Sequence, residues 1–290
     1  MRYDMSDYCA NACRLYEDLS KRPLKPASTP FVPDGSILAS DWESKGALAS
    51  EASRVLMKTL WLARLSRPDL MKGISDLTRR ITRWSVADDK KLHRLMSYLK
   101  GTPNLSVVHK MGDAFEDLRL SLYTDADHSG DVDHAQSTSG MILCLEGENT
   151  YWPLAWSSKK QTATSRILVF GEALPAQEFL ETLTGKEAKL VCHQDNSAVI
   201  QIVHAGYSPK LRHVSKTHRV NLSSLYEVFE SDPLIRLQCI NTELQEADVF
   251  TKALPPAKFP AALKLLRMVA WAPLGEAFDD YGGLQSVRVT

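Results

Sequence analysis

Residues 118–124, 139–145 and 152–160 are three β-prone runs separated by turn material such as "GDVDHAQ" and "EGEN". Short connections of this kind favour an antiparallel meander. The pattern then changes. A helical stretch at 170–182 is followed by the strand-like "AKLVCHQ", a helix from Asn196, a further helix around "VNLSSLYEVFE", the strand-like "LIRLQCI" and a C-terminal helical region. Strand, helix and strand at that spacing read as parallel crossovers. Three antiparallel strands joined to two parallel ones, with helices packed on the sheet, predict a layered α/β (α+β) domain.

With 290 residues the chain has room for one large or two modest domains, and its 44% hydrophobic content can build a core. The formal net charge is zero, so overall charge points to neither nucleic acid nor membrane. Its distribution is uneven. Residues 54–100 hold 12 Lys/Arg against 4 Asp/Glu, and residues 113–133 hold 7 Asp/Glu against one Arg. A basic block followed by an acidic cluster suggests a polyanion-binding surface beside a cation site; two solvated faces of opposite sign are the plainer alternative. The five cysteines are odd in number and scattered, which argues against a disulfide framework and for a reducing compartment. With no membrane span and no signal sequence, the expectation is an intracellular protein of the cytoplasm or nucleus. Cys192 and His193 lie beside Asp195 but lack a CxxC or a second ligand pair, so zinc is set aside.

Upstream, "KRPLKPASTPFVPDGS" carries four prolines, and residues 1–45 are expected to be extended or poorly ordered. Helices follow at 46–65, then from Pro68 to about Trp84, then after Ser85, an N-cap candidate with Asp88 three residues on. In the last of these Leu92, Leu95, Met96 and Leu99 form one apolar face. Trp61 and Trp84, at helical spacing among leucines, read as core.

Three acidic residues stand at element ends. Asp125 ends the first strand of the meander, Asp195 ends the fourth strand in "VCHQDNSA", and Asp248 opens a helix in "LQEADVFTK". Neighbouring first and fourth strands would bring Asp125 and Asp195 side by side. Clustered carboxylates imply bound cations or raised pKa values. Hard divalent ions such as Mg²⁺ prefer oxygen ligands. Two of them about 3.5–4 Å apart are an apparatus for in-line displacement at phosphorus. Taken singly, each aspartate is weak evidence and better explained as a turn residue.

The wording around them is more specific. "YTDADHSGDVDHAQSTSGMILCL", "AWSSKKQTATSR", "CHQDNSAVI" and "EADVFTKAL" together resemble the ribonuclease H domain of copia-type LTR retrotransposon Pol polyproteins. "LWLARLSRPDL" and "LMSYLKGTPNL" resemble the end of the reverse transcriptase just upstream. The resemblance covers roughly residues 46–270 and implies a ribonuclease H-like five-stranded mixed sheet with flanking helices, preceded by a small helical unit. It implies two-metal, Mg²⁺-dependent hydrolysis (Mn²⁺ as a substitute) of the RNA strand of RNA–DNA hybrids. Asp125, Asp195 and Asp248 match the family's catalytic, metal-binding aspartates, and His218 in "KTHRV" matches its histidine. Glu172 falls at the register of the family's glutamate, completing the expected catalytic and metal set. Asp127 and Asp131 also match but are expected to shape the turn. The basic helices, with Arg79, Arg80 and Arg83, would be a thumb or connection gripping the hybrid. Lys210, Arg212, Lys216 and Arg219 would meet its backbone near the metals.

The implied organisation is an N-terminal segment 1–45, a thumb-like helical remnant 46–110, a ribonuclease H-like domain 115–270 and a tail 271–290. The chain departs from the family after Arg166, where "ILVFGEALPAQ" replaces the usual Ser/Thr-rich entry. The 23 positions from Glu172 to Asp195 are too few for a full-length helix, and Pro175 disfavours an unbroken one. No paired-aspartate polymerase motif is present, so polymerase activity is not expected. A catalytically degenerate fragment that keeps the fold and nucleic-acid binding is the alternative reading.

Overall fold

The computed structural model describes residues 1–127, 138–160, 170–206, 222–271 and 286–288. They divide into two compact units: Met1–Val108 with Ala253–Thr290, and His109–Lys252.

The first unit is mainly helical. It begins with β1 (Arg2–Asp4) and α1 (Ser6–Ser20), followed by α2 (Ala39–Glu43), α3 (Ala52–Leu65), α4 (Met71–Thr78), α5 (Val86–Gly101) and β2 (Leu105–Val107). Helix α1 corrects the expectation for residues 1–45. Cys9, Ala12, Cys13 and Tyr16 recur at helical spacing and are all buried, so the apolar face outweighs the prolines that follow it. Helix α3 starts later than expected, because Gly46 bonds to the Trp84 carbonyl and Asp89 accepts the backbone N–H groups of Ala47 and Leu48. The next segment is broken into a 3-10 turn at Pro68–Leu70, α4 and a second 3-10 turn at Ile81–Arg83. Helix α5 is as expected. Its apolar face of Leu92, Leu95, Met96 and Leu99 is buried, and Asp88 accepts the Ser85 N–H at 2.8 Å. Trp84 is buried and donates to Asp89 at 2.7 Å, whereas Trp61 is 52% exposed, on the outer side of α3.

The second unit carries the five-stranded sheet. Strands β3 (Arg119–Asp127), β4 (Thr138–Glu146) and β5 (Tyr151–Lys160) form the antiparallel meander. Helix α6 (Phe170–Thr184), β6 (Lys189–Gln194), α7 (Ser197–Ala205), α8 (Leu222–Ser231), β7 (Ile235–Cys239) and the short α9 (Asp248–Thr251) follow. The strand order is β5-β4-β3-β6-β7, with β6 parallel to both β3 and β7. This is the expected five-stranded mixed sheet with flanking helices. Alternation on β3 sets its faces. Leu118, Leu120 and Leu122 join Met141, Leu143, Leu190 and Cys192 in a core. Side chains of α6, α7 and α8 pack against it. Ser121, Tyr123 and Asp125 therefore take the opposite face. Helix α6 runs through Pro175, contrary to the expected interruption; the proline costs a backbone bond and crowds the carbonyl four residues earlier, and the packing of Ala173, Leu174, Ala176 and Leu180 on the core holds the helix against it.

The chain then returns to the first unit through α10 (Phe259–Leu265) and β8 (Met268–Ala270), which pairs antiparallel with β2. Residues 253–270 thus belong with the helical unit rather than the sheet unit, because Phe259 packs edge-on against Tyr98 and Phe31 there. Strand β9 (Ser286–Arg288) pairs parallel with β1.

Candidate metal centre

The register of the sheet builds the site. Tyr123 on β3 pairs with His193 on β6. Asp125 and Asp195 each lie two residues further on, so they share one face at one end of adjacent strands. Asp195 is fixed locally: the Gln194 side chain accepts the backbone N–H groups of Asp195 and Asn196, and Asn196 caps α7 through the N–H groups of Ala198 and Val199. Asp248 arrives on α9, which lies over the same sheet face. The preceding turn is tied to the end of β3 by Gln245, which donates to the Thr124 carbonyl at 3.2 Å and accepts from Ala247 N at 3.2 Å.

Asp125, Asp195 and Asp248 each present a carboxylate oxygen within 4.8 Å of the others, and all three are half-buried. The Thr251 hydroxyl donates to Asp125. Lys252 lies 2.6 Å from Asp248 and 3.4 Å from Asp125. Loss of solvent, with the negative charges of Asp125 and Asp195 and against the pull of Lys252, pushes the Asp248 carboxyl up to about 6. Burial works against the Lys252 ammonium, but its bond to Asp248 and the surrounding carboxylates hold its pKa above the usual lysine range.

The donor set is all oxygen, which suits a hard divalent cation, and an ammonium already supplies positive charge between two of the three carboxylates. Among the described residues this is the one group of three or more potential ligands drawn together. Zinc is not supported at Cys192 and His193: Cys192 lies in the core, while His193 stacks on Tyr123 on the opposite face, 4.4 Å between centroids.

The other expected site residues fare differently. Glu172 lies in the first turn of α6, but its side chain is outside the described residues. His218, Lys210, Arg212, Lys216 and Arg219 also lie outside them. Arg79 bonds Ser75 and pairs with Asp76, and Arg80 pairs with buried Asp88 at 2.7 Å and covers the Trp42 ring. Arg83 is exposed. The sequence reading missed Thr251 and Lys252. Their positions three and four residues after Asp248 place them over the same helical turn, a signal that was available within "EADVFTKAL".

No protein-family model matches the chain. It is 32% identical over 149 residues to the retrovirus-related Pol polyprotein from transposon RE1 of Arabidopsis thaliana, covering 49% of this chain and 9% of that protein. It is 24% identical over 271 residues to the corresponding polyprotein from transposon TNT 1-94 of Nicotiana tabacum, covering 88% of this chain and 19% of that one. The chain thus spans under a fifth of the length of each of these two relatives. The solved structure of LC11-RNase H1, isolated from compost, overlaps 46% of this chain and 92% of its own at 16% identity and a TM-score of 0.31. That overlap adds nothing to the fold reading, which rests on strand order and register. The sequence similarity is the informative comparison, and it relates the chain to the copia-type Pol polyproteins of transposons.

Proposed function

We propose that the sheet unit is a retrotransposon-derived ribonuclease H-like domain that hydrolyses the RNA strand of RNA–DNA hybrids with Mg²⁺, or with Mn²⁺ in its place. The observation that supports this most is the convergence of Asp125, Asp195 and Asp248 from three separate elements. Like charges brought together at half-buried positions repel, and folding tolerates that where the cluster has a cation to hold. A pair of divalent ions would supply a nucleophilic water and stabilise the leaving oxygen. Asp125 and Asp195 would grip from the sheet, and Asp248 from α9. Thr251 would keep the Asp125 carboxylate turned toward the site. Lys252 would swing from the carboxylates to the incoming phosphate. Glu172 would complete the ligand set from α6, and His218 would act at the phosphate. The helical unit, as a thumb or connection remnant, would bind the hybrid backbone through Arg83 and its basic neighbours, with Lys210, Arg212, Lys216 and Arg219 contributing near the metals.

The test is cleavage of a labelled hybrid by the full chain in Mg²⁺ and in Mn²⁺, beside Asp125→Asn and Asp195→Asn. Cleavage lost in both variants is the expected result. Robust Mg²⁺ cleavage that survives Glu172→Gln would remove Glu172 from the set. Hybrid binding without cleavage in either metal would identify a degenerate fragment and overturn the catalytic reading.

A further inference from the structure

We infer that Gly140 is the seat that holds Asp248 at the metal centre, a positioning role that rests on the cation reading above. Gly140 on β4 pairs directly with Asp125 on β3, so the two share a sheet face. Helix α9 and its leading residue lie across that position. A Cβ added at Gly140 would come 2.7 Å from Phe250 Cβ, 2.8 Å from Thr251 Cγ2 and 2.9 Å from the Ala247 carbonyl oxygen. Phe250 Cβ and the Ala247 oxygen are fixed by the backbone, the Thr251 methyl is held by the bonds its hydroxyl makes to Asp125 and the Asp248 carbonyl, and contacts below 3.0 Å are essentially never seen for a real Cβ. Only glycine permits so close an approach.

The direction in which strain would be relieved follows from the sheet. Strand β4 is hydrogen-bonded on both sides, to β3 and to β5, and every one of its residues is buried. Helix α9 is four residues long. A side chain at 140 would therefore move α9 rather than β4. That motion carries Asp248, the first residue of α9, and Thr251, the residue that bonds Asp125. Gly140 touches no cation itself. It sets the distance between the carboxylate on the sheet and the carboxylate on the helix.

The experiment is Mn²⁺ titration calorimetry on the full chain. Gly140→Ala is expected to weaken Mn²⁺ binding about tenfold or more, the scale at which residues behind metal ligands act. The loss should be smaller in a Thr251→Ser background, which removes Cγ2 but keeps the hydroxyl that bonds Asp125. Native affinity in Gly140→Ala would overturn the seat. A chain that folds with Gly140→Ala only when Thr251→Ser is also present supports it. Failure to fold in both backgrounds would show that Gly140 is needed for the fold itself rather than for the placement of Asp248, and overturns the positioning role. If the native chain binds no Mn²⁺, the cation reading fails separately. The seat is then read from the unfolding free energies of Asp125→Asn, Asp248→Asn and their double variant without metal. Their coupling should shrink on Gly140→Ala, and an unchanged coupling would refute the role.

Discussion

Arg67 and Asp69 in the helical unit are both fully buried and satisfy each other. Arg67 Nε and Nη2 donate to the two Asp69 oxygens at 3.0 and 2.8 Å, Arg67 Nη1 donates to the Thr102 carbonyl at 2.7 Å, and the Tyr98 hydroxyl donates to Asp69 at 2.6 Å. In the sheet unit three carboxylates gather at half-buried positions, and among the described residues the ammonium of Lys252 pairs with two of them, Asp125 and Asp248. The first arrangement is electrically complete and needs nothing from outside. The second, among the described residues, has surplus negative charge, and loss of solvent together with that charge pushes the Asp248 carboxyl up to about 6. Buried charge that closes on itself fixes architecture. Buried charge that does not close marks a place where something else binds.

The largest effect should come from opening the closed arrangement. Asp69→Ala leaves the Arg67 guanidinium buried and uncompensated and removes the acceptor of the Tyr98 hydroxyl. A loss of about 3–5 kcal/mol is expected in denaturant unfolding of the helical unit. Asp125→Asn, by contrast, should leave the sheet unit folded while removing a ligand. A cost below about 1 kcal/mol for Asp69→Ala, the size of a surface pair, would break the distinction between the two regions.

Next in size is the effect of closing the open arrangement. Mn²⁺ at about a hundredfold excess over its dissociation constant should stabilise the unit that binds it by about 2.7 kcal/mol. Hydrogen exchange read by mass spectrometry separates the units. Slower exchange is expected in β3, β6 and α9, and none of that gain in α3 or α5. Asp195→Asn should abolish it. A gain spread evenly over both units would mean that the metal acts as a general counter-ion.

The two regions were also unequally legible. The face of α5 repeats apolar residues at helical spacing within one segment, and the meander alternates within another, so both could be read locally. Asp125 and Asp195 were legible because each lies within two residues of a strand end inside a specific motif. The contacts that complete the site are remote in sequence: Gly140 meets residues 247–251, and Gln245 reaches Thr124. No local pattern encodes such pairs. Residues 253–270 were assigned to the sheet unit because they follow it directly. Their place is set by pairing with β2, some 160 residues earlier. Helix α1 was misread for a different reason. Its Cys9, Ala12, Cys13 and Tyr16 stripe is made of small and amphipathic residues, and the proline-rich stretch after it dominated the composition.

A smaller effect is expected from easing the repulsion. In metal-free chain Asp248→Asn removes one of three like charges, while its amide oxygen can still accept from Lys252. Stability of the sheet unit should rise by about 0.5–1 kcal/mol, as befits a half-screened charge. A drop of the same size in a melting comparison would mean that the Lys252–Asp248 pair outweighs the crowding, and that the cluster is closer to closed than its geometry implies.

The smallest effect divides two arginines three residues apart. Arg80 is committed to Asp88 and the Trp42 ring, so its charge is spent within the fold. Arg83 stands exposed at the end of a 3-10 turn. Arg83→Ala should change stability by less than about 0.5 kcal/mol, as exposed substitutions do. If the helical unit grips a hybrid, each phosphate contact releases counter-ions in proportion to the charge neutralised. Removing Arg83 should then lower the slope of log affinity against log salt by about 0.9, uniformly across hybrid sequences. Arg80→Ala should do the reverse, costing stability by stranding Asp88 while leaving the salt slope of the folded fraction unchanged. An unchanged slope for Arg83→Ala removes that residue from the binding face. A slope that falls for Arg80→Ala instead would show that its pairing with Asp88 opens on binding, and that charge in the helical unit is less closed than its hydrogen bonds indicate.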